Sequence, residues 1–264
     1  MRHRLVLGIV VVLLLVGGVV AAVMLSNRPA RVPEGLNLDA IQAKMDIGDY
    51  AGAKADLEAV LAENDENAEA HFKLGLASFN LGEYEAAKEH FNRSLALEPD
   101  RAAAVHHNLG VLAYQVGDMD TALEEFQAAL AADPDDADTH YQLGATYLIL
   151  AYPMGAMEPD ADRLAQAQAE FDRALEVSPG KPEALIGLAN IYMLQNEMEQ
   201  AIALLEDVVA ERPDMREALF ALGRSYAAVG ETDKAITTLE QFLQTDPPAV
   251  WAEQAEELLQ TLRP

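Results

Sequence analysis

The sequence repeats itself, most often at a step of 34 residues, and this period limits the chain to a repeat architecture. A small residue after a leucine recurs at Gly75, Gly110, Gly144, Ala189 and Gly223. A second small residue recurs at Ala53, Ala87, Ala122, Ala167, Ala201 and Ala235. A proline closes the units at Pro99, Pro134, Pro179, Pro213 and Pro247, with Asp65 in its place in the first unit. Since a unit of this size cannot bury its apolar face alone, neighbouring units must stack into a solenoid.

Each unit has the apolar spacing of two amphipathic helices, with apolar residues three or four positions apart. The residues that can adopt a left-handed turn between these helices are Gly48, Gly82, Gly117, Asn196 and Gly230. The recurring small residues are expected where two helices cross, because a larger side chain would force the helices apart. The pattern predicts an all-α fold.

This pattern resembles the tetratricopeptide repeat (TPR) family, over about residues 34–248 and most clearly in "AEAHFKLGLASFNLGEYEAAKEHFNRSLALEPD". The resemblance implies a right-handed superhelical solenoid of helix-turn-helix units, with the first helix of each pair on the concave face. The six units are 34–67, 68–102, 103–136, 137–181, 182–215 and 216–248. The first is the least regular, since Ala40 and Ile41 replace the Leu-Gly pair, as suits a terminal unit. Residues 249–264, which include the only tryptophan, Trp251, are expected to form a capping helix.

An uncharged apolar run, "LVLGIVVVLLLVGGVVAAVML", occupies residues 5–25 behind a short basic head at 1–4. A helix of this length spans about 30 Å, the thickness of a bilayer's hydrocarbon core. The sequence therefore predicts a transmembrane signal-anchor helix, followed by a tether at 26–33. The alternative is a cleaved signal peptide: "VAA" (20–22) could be a cleavage site, and the mature chain would then begin at Val23 as a secreted soluble adaptor. The apolar run continues past that site, which favours retention.

Basic residues flank both ends of the apolar run, with a narrow excess at the N-terminal end. The positive-inside rule then predicts a cytoplasmic N-terminus and an extracytoplasmic repeat domain. For a bacterial inner membrane, that location is the periplasm. Bacterial envelope proteins of the TPR family function in cytochrome maturation, pilus assembly and chaperoning. The resemblance does not indicate which of these processes involves this chain.

The charge balance is strongly acidic, with a formal net charge of −26 and no lysine or arginine between Arg101 and Arg163. Such a surface repels nucleic acids and anionic lipid surfaces and favours partners that carry basic patches. The absence of cysteine excludes disulfides, thiolate metal sites and a cysteine nucleophile. No phosphate-binding glycine loop, Gly-x-Ser-x-Gly or His-Glu-x-x-His motif occurs, so we expect neither an enzyme nor a cofactor.

The resemblance implies that the first helices form a groove that holds peptides or helices of partner proteins. The predicted groove consists of Phe72, Phe79, His107, Val111, Tyr114, Tyr141, Leu148, Ile186, Asn190, Met193, Phe220 and Arg224. The predicted acidic rim consists of Glu69, Asp138, Glu183 and Glu217. Relatives that capture chaperone C-termini have lysines and arginines in this groove, where this chain has mostly apolar residues. The expected ligand is therefore an apolar or amphipathic segment that can also carry basic residues. Packing between repeats is the alternative role of these side chains.

Two further features have alternative interpretations. His71, His106 and His140 occupy equivalent positions in three units, which allows a metal- or haem-handling role, but packing is favoured because adjacent helix axes lie about 8–10 Å apart. The fourth unit carries an insertion of 11 residues, predicted as a loop over 151–162. Tyr152, Met154 and Met157 in this loop could contact a partner, or the loop could have no function.

Overall fold

The computed structural model describes residues 37–152 and 158–263, and every regular element within these ranges is helical. They contain thirteen α-helices, one 3-10 turn at Pro99–Arg101 and no strand, which confirms the predicted all-α class. No helix within these ranges is long and apolar enough to cross a membrane. The basic head, the apolar run at 5–25 and the tether lie outside the described residues, so the signal-anchor stays a prediction.

Twelve of the helices form six consecutive pairs, and a thirteenth follows the last pair. In chain order they are α1 Leu38–Asp46, α2 Tyr50–Glu63, α3 Ala68–Asn80, α4 Tyr84–Leu97, α5 Ala102–Val116, α6 Met119–Ala132, α7 Ala137–Ala151, α8 Ala161–Val177, α9 Pro182–Leu194, α10 Met198–Glu211, α11 Arg216–Ala228, α12 Thr232–Leu243 and α13 Ala249–Leu262. The two helices of each pair pack against each other. The short connections make them antiparallel neighbours.

The chain divides after Arg101 into two compact units. The first contains α1–α4, with a core that includes Ile41, Leu57 and Leu74. The second contains α5–α13. Within the second unit the first helices of successive pairs contact one another, α5 with α7, α7 with α9, and α9 with α11. Their adjacent faces therefore form one continuous surface in this unit.

The turns inside five of the six pairs use the predicted left-handed residues. Gly48, Gly82, Gly117, Asn196 and Gly230 all have positive φ, from 62° to 83°. Glycine adopts this conformation without steric cost, and asparagine is one of the few other residues that tolerate it. The sequence prediction of these five turns is confirmed.

The helices of a pair cross at the predicted small residues, where an aromatic ring of the second helix covers a glycine of the first. A Cβ atom added at Gly75 would lie 2.6 Å from the ring of Phe91, and one at Gly110 would lie 2.6 Å from the ring of Phe126. Gly144 lies against Phe171 in the same way, at 2.8 Å. These three rings are at most 1% exposed. The glycines are therefore required by the closeness of the phenylalanine rings.

The insertion in the fourth pair is helical at both of its ends. α7 continues through Ala151 and α8 begins at Ala161. The connection is therefore shorter at both ends than the predicted loop over 151–162. The backbone N–H of Asp160 donates to the carbonyl of Ala151 at 2.7 Å, and Leu164 is buried. The added residues thus extend the helical packing as well as forming a connection.

Gly110→Ala tests the crossing constraint. Alanine normally stabilises a helix interior by about 0.5–1 kcal/mol relative to glycine. At this position its Cβ would meet the Phe126 ring, and overpacking of this kind costs about 1–3 kcal/mol. We therefore expect a net loss of stability in urea unfolding. Gln115→Ala, at an exposed position on the same helix, should change stability by less than about 0.5 kcal/mol. An equally stable Gly110→Ala variant would contradict the account.

Two buried serines on neighbouring helices are expected to respond oppositely to alanine. Ser78 is 1% exposed, and its hydroxyl has no hydrogen-bond partner among the described residues. Ser94 is fully buried, and its hydroxyl donates to the carbonyl of Ala68 at 2.8 Å. Ser78→Ala should raise the free energy of unfolding by about 1 kcal/mol, and Ser94→Ala should lower it by a similar amount. Urea unfolding measures both, and shifts of the same sign would contradict this assignment.

Candidate peptide-binding surface

The predicted groove residues of the first compact unit, Phe72 and Phe79, lie half-buried on α3. The Phe72 ring lies 5.7 Å from that of Phe91, and the guanidinium of Arg101 lies 5.9 Å from the Phe72 ring centroid. Arg101 also pairs with Glu69, a predicted rim residue, at 2.6 Å. A cation of the chain itself therefore already occupies this part of the predicted surface.

In the second unit, five predicted groove residues lie on two adjacent helices. They are His107, Val111 and Tyr114 on α5, and Tyr141 and Leu148 on α7, all half-buried. Val111, Tyr114, Tyr141 and Leu148 pack by one side against a core cluster and keep the remainder of their surface accessible. These side chains therefore contribute both to packing between repeats and to an apolar surface.

His107 is held in one orientation by a short hydrogen-bond chain. The Thr139 hydroxyl donates to Asp136 at 2.5 Å, so the Nδ1–H of His107 donates to the Thr139 oxygen at 2.6 Å. Burial lowers the pKa of His107 below its ordinary value, against the opposing effect of Asp136 and Asp138. A lowered pKa keeps the imidazole neutral at neutral pH, so His107 adds no positive charge to the surface.

The remaining predicted groove residues differ in their exposure. Ile186 is 9% exposed and Phe220 is 8% exposed, so only a small part of each side chain is accessible. Phe220 is covered by Trp251 of α13, whose ring stacks on it at 5.7 Å. Arg224 is exposed, with its guanidinium 5.6 Å from the Phe220 ring centroid. Asn190 and Met193 on α9 are half-buried.

A cavity of about 300 Å³ opens where α7, α9 and α11 meet. Its lining combines two predicted groove residues, Tyr141 and Ile186, with two predicted rim residues, Glu183 and Glu217. The fifth lining residue, Met215, was not predicted. It precedes α11 in a turn, and its only signal in the sequence is an apolar residue beside a helix start. The cavity is thus lined by three apolar or aromatic side chains and two carboxylates.

The ammonium of Lys181 lies close to two residues that line the cavity. It pairs with Asp138, lies 3.8 Å from Glu183, and lies 5.9 Å from the centroid of the Tyr141 ring. Glu217 forms no ion pair within the part of the chain that the structure describes. Burial raises the pKa of Tyr141, with smaller contributions from Tyr114, Glu183 and Glu217. The Tyr141 hydroxyl therefore keeps its proton and can donate a hydrogen bond.

The three equivalent histidines each contact the second helix of their own pair. His106 Nδ1 lies 2.7 Å from a Glu125 oxygen, and His140 Nδ1 lies 2.7 Å from a Glu170 oxygen. His71 Nδ1 lies 3.1 Å from the same atom of His90. Among residues 37–152 and 158–263, no group of three or more histidine, aspartate or glutamate side chains could hold a metal ion. The contacts describe packing within helix pairs.

The predicted loop contacts are only partly described. Tyr152 lies at the end of α7 and is 47% exposed. Met154 and Met157 lie outside the described residues. Exposed apolar side chains also occur beside the turns within the helix pairs, and sequence reasoning did not single them out. Those in the second unit include Val116, Leu194 and Val229.

Solved structures of low sequence identity share this fold. A TPR protein from Thermus thermophilus is 24% identical, with 73% of this chain and 98% of that chain covered and a TM-score of 0.60. A tetratricopeptide repeat protein from Parabacteroides merdae is 18% identical, with 87% and 90% covered and a TM-score of 0.65. YrrB, a TPR protein with an unusual peptide-binding site, is 20% identical, with 76% and 97% covered and a TM-score of 0.54. No curated protein sequence matches this chain.

Family models match most of the sequence. Models described as tetratricopeptide repeat match residues 38–104, 160–214 and 197–256. A further model, described as TPR repeat, matches residues 112–149. The matched residues all lie within the helical ranges that the structure describes, and the family agrees with the fold of the structural neighbours. The chain therefore belongs to the tetratricopeptide repeat family.

Proposed function

We propose that this protein is a non-catalytic scaffold that binds an apolar or amphipathic segment of partner proteins on the first helices of its repeats. TPR proteins bind protein partners, and the fold suggests a scaffold for protein–protein interaction. The observation that carries the finer proposal is the cavity between α7, α9 and α11, whose lining includes Tyr141, Ile186 and Met215. Concave sites with an apolar lining and a few polar groups are typical of ligand binding.

The surface around the cavity supports an extended ligand. Tyr114 and Leu148 pack against the same core cluster as Tyr141, and Met193 lies on α9 with Ile186. All three are half-buried and add accessible apolar surface to the first helices. An amphipathic helix or an extended peptide buries its apolar side chains on such a surface at several points along its length. The peptide-binding site of the structural neighbour YrrB supports the same use of this fold, although the likeness to YrrB shows the fold alone.

The proposal includes membrane anchorage through residues 5–25. The support is the sequence itself, in which this run carries no charge and is long enough to span a bilayer. In this arrangement the N-terminus is cytoplasmic and the repeats lie outside the inner membrane of a bacterium. A scaffold held there would serve in envelope protein assembly or chaperoning, because its partners would be membrane or exported proteins.

The binding surface is tested by Tyr114→Ala combined with Tyr141→Ala. Both rings are partly accessible and aromatic residues often dominate binding energy, so we expect capture of a partner to fall about tenfold or more. In-membrane crosslinking followed by purification of the full-length protein measures capture. Asn190→Lys is a second variant, which adds bulk and charge to the surface without removing an aromatic side chain.

The matched control is Val116→Ala combined with Val229→Ala, which removes exposed apolar atoms beside the turns. The control should capture the partner as the parent protein does, and all variants should keep the parent's helical circular dichroism spectrum. If the control loses the partner while both surface variants retain it, binding occurs elsewhere and the proposal is wrong.

The membrane proposal predicts an uncleaved chain. Intact mass spectrometry of the protein from membranes should give the mass of a chain that retains residues 1–25, and carbonate washing should leave it in the membrane fraction. The physical reason is that the uninterrupted apolar run holds the segment in the bilayer. A soluble chain beginning at Val23 would instead establish a secreted adaptor.

A further inference from the structure

We propose that the cavity between α7, α9 and α11 is a pocket for a single arginine side chain of the partner segment. This inference rests on the proposed function and specifies its ligand. The volume of about 300 Å³ is at the lower end of ligand pockets, which suits one long side chain. The lining contains two carboxylates, one aromatic ring, two apolar side chains and no basic residue.

The two carboxylates occupy equivalent positions in consecutive repeats. Glu183 and Glu217 are each the second residue of a first helix, α9 and α11. Because α9 and α11 contact each other, both carboxylates border the same cavity. A guanidinium presents its donors in a fixed planar arrangement that matches carboxylate oxygens, which an ammonium does not. The repeat itself therefore generates a site for a planar cation.

The apolar and aromatic residues of the lining suit the aliphatic stem and the planar guanidinium of an arginine side chain. Ile186 and Met215 offer apolar contacts for the aliphatic stem, which arginine buries readily while its charged end stays in a polar environment. Tyr141 offers an aromatic ring, and guanidinium groups stack on such rings. The aliphatic stem of arginine, its planar guanidinium and its charge thus each have a counterpart in the lining.

Cations of the chain itself lie beside Tyr141 and beside two other aromatic groove residues. The Lys181 ammonium lies 5.9 Å from the Tyr141 ring centroid and 3.8 Å from Glu183. The guanidiniums of Arg101 and Arg224 lie 5.9 Å and 5.6 Å from the ring centroids of Phe72 and Phe220. Lys181 also pairs with Asp138, so its single charge is shared between two carboxylates.

Glu217 therefore remains available for a cation from outside. It is exposed and has no ion pair with any residue that the structure describes. A partner's carboxylate would be repelled by both glutamates, so a C-terminal carboxylate is an unsuitable occupant. A neutral apolar side chain would contact the apolar lining but leave Glu217 without a cationic partner. Arginine is the side chain that satisfies both parts.

The first test is selection from a random 12-residue peptide display library on the full-length protein in detergent. The parent protein should select peptides in which an arginine at one position is flanked by apolar residues. Glu183→Gln combined with Glu217→Gln should select apolar peptides without the arginine. Glu124→Gln combined with Glu199→Gln is the matched control, with the same change in charge at exposed positions of α6 and α10, and it should select as the parent does.

The second test uses one selected peptide and its citrulline analogue, which keeps the shape of arginine and removes the charge. Fluorescence anisotropy should give a Kd about tenfold or more weaker for the citrulline peptide with the parent and the control. With the Glu183→Gln, Glu217→Gln variant the two peptides should differ by less than about twofold. Such a loss of discrimination would show that these two carboxylates recognise the charge of the peptide's arginine side chain.

The outcomes separate the two proposals. Selected peptides without arginine enrichment, or an equal citrulline penalty in the parent and the glutamine variant, would overturn the arginine pocket and leave the peptide-binding function standing. Failure to select any peptide would count against both. Arg28→Gln combined with Arg31→Gln in the full-length chain is a further check. If this variant binds the arginine peptide tenfold more tightly, the chain's own tether occupies the pocket, and the assignment to a partner is wrong.

Discussion

The contact between a glycine of the first helix and an aromatic ring of the second determines the geometry of the repeats. In three successive pairs the ring of Phe91, Phe126 or Phe171 lies so close to the glycine that a Cβ atom would come within 2.6–2.8 Å of it. Such an approach is possible only because glycine has no side chain where the ring lies. With one face of each first helix held against its partner in this way, a different face remains for ligand contact. Tyr114 and Tyr141 lie on the first helices of two of these pairs, so their positions follow from this constraint.

The sequence predicted most of the fold because its signals are local and repeated. A glycine or asparagine at a turn and a small residue at a helix crossing each act within one helix pair, so their spacing predicts the structure. The depth of burial depends on a neighbouring element and could not be predicted in the same way. Phe220 is buried because Trp251 of α13 stacks on it, and no local pattern specifies that contact. The two ends of the insertion in the fourth unit were predicted as loop. They are helical because α7 and α8 extend beyond the lengths that the repeat pattern predicts.

The candidate site was predicted in part. Tyr141, Ile186, Glu183 and Glu217 were placed in the groove and rim by their register in the repeats, and they meet in one cavity. Met215 was missed because it lies in a turn, outside the helical register. The charge of the rim also could not be predicted from composition. Glu69 is paired with Arg101 and Asp138 with Lys181, whereas Glu217 has no ion pair within the described ranges. The net charge of −26 therefore does not indicate which rim carboxylates are paired. That depends on where Arg101 and Lys181 lie.

The most direct test of the account asks whether a partner lies on the first-helix surface of the second unit. A photoreactive benzoylphenylalanine can be introduced in place of Met193, which is half-buried on α9, and separately in place of Glu199, which is exposed on α10. Irradiation of membranes containing the full-length protein should crosslink a discrete partner from position 193 and none from position 199. A partner crosslinked from position 199 and not from position 193 would contradict the account.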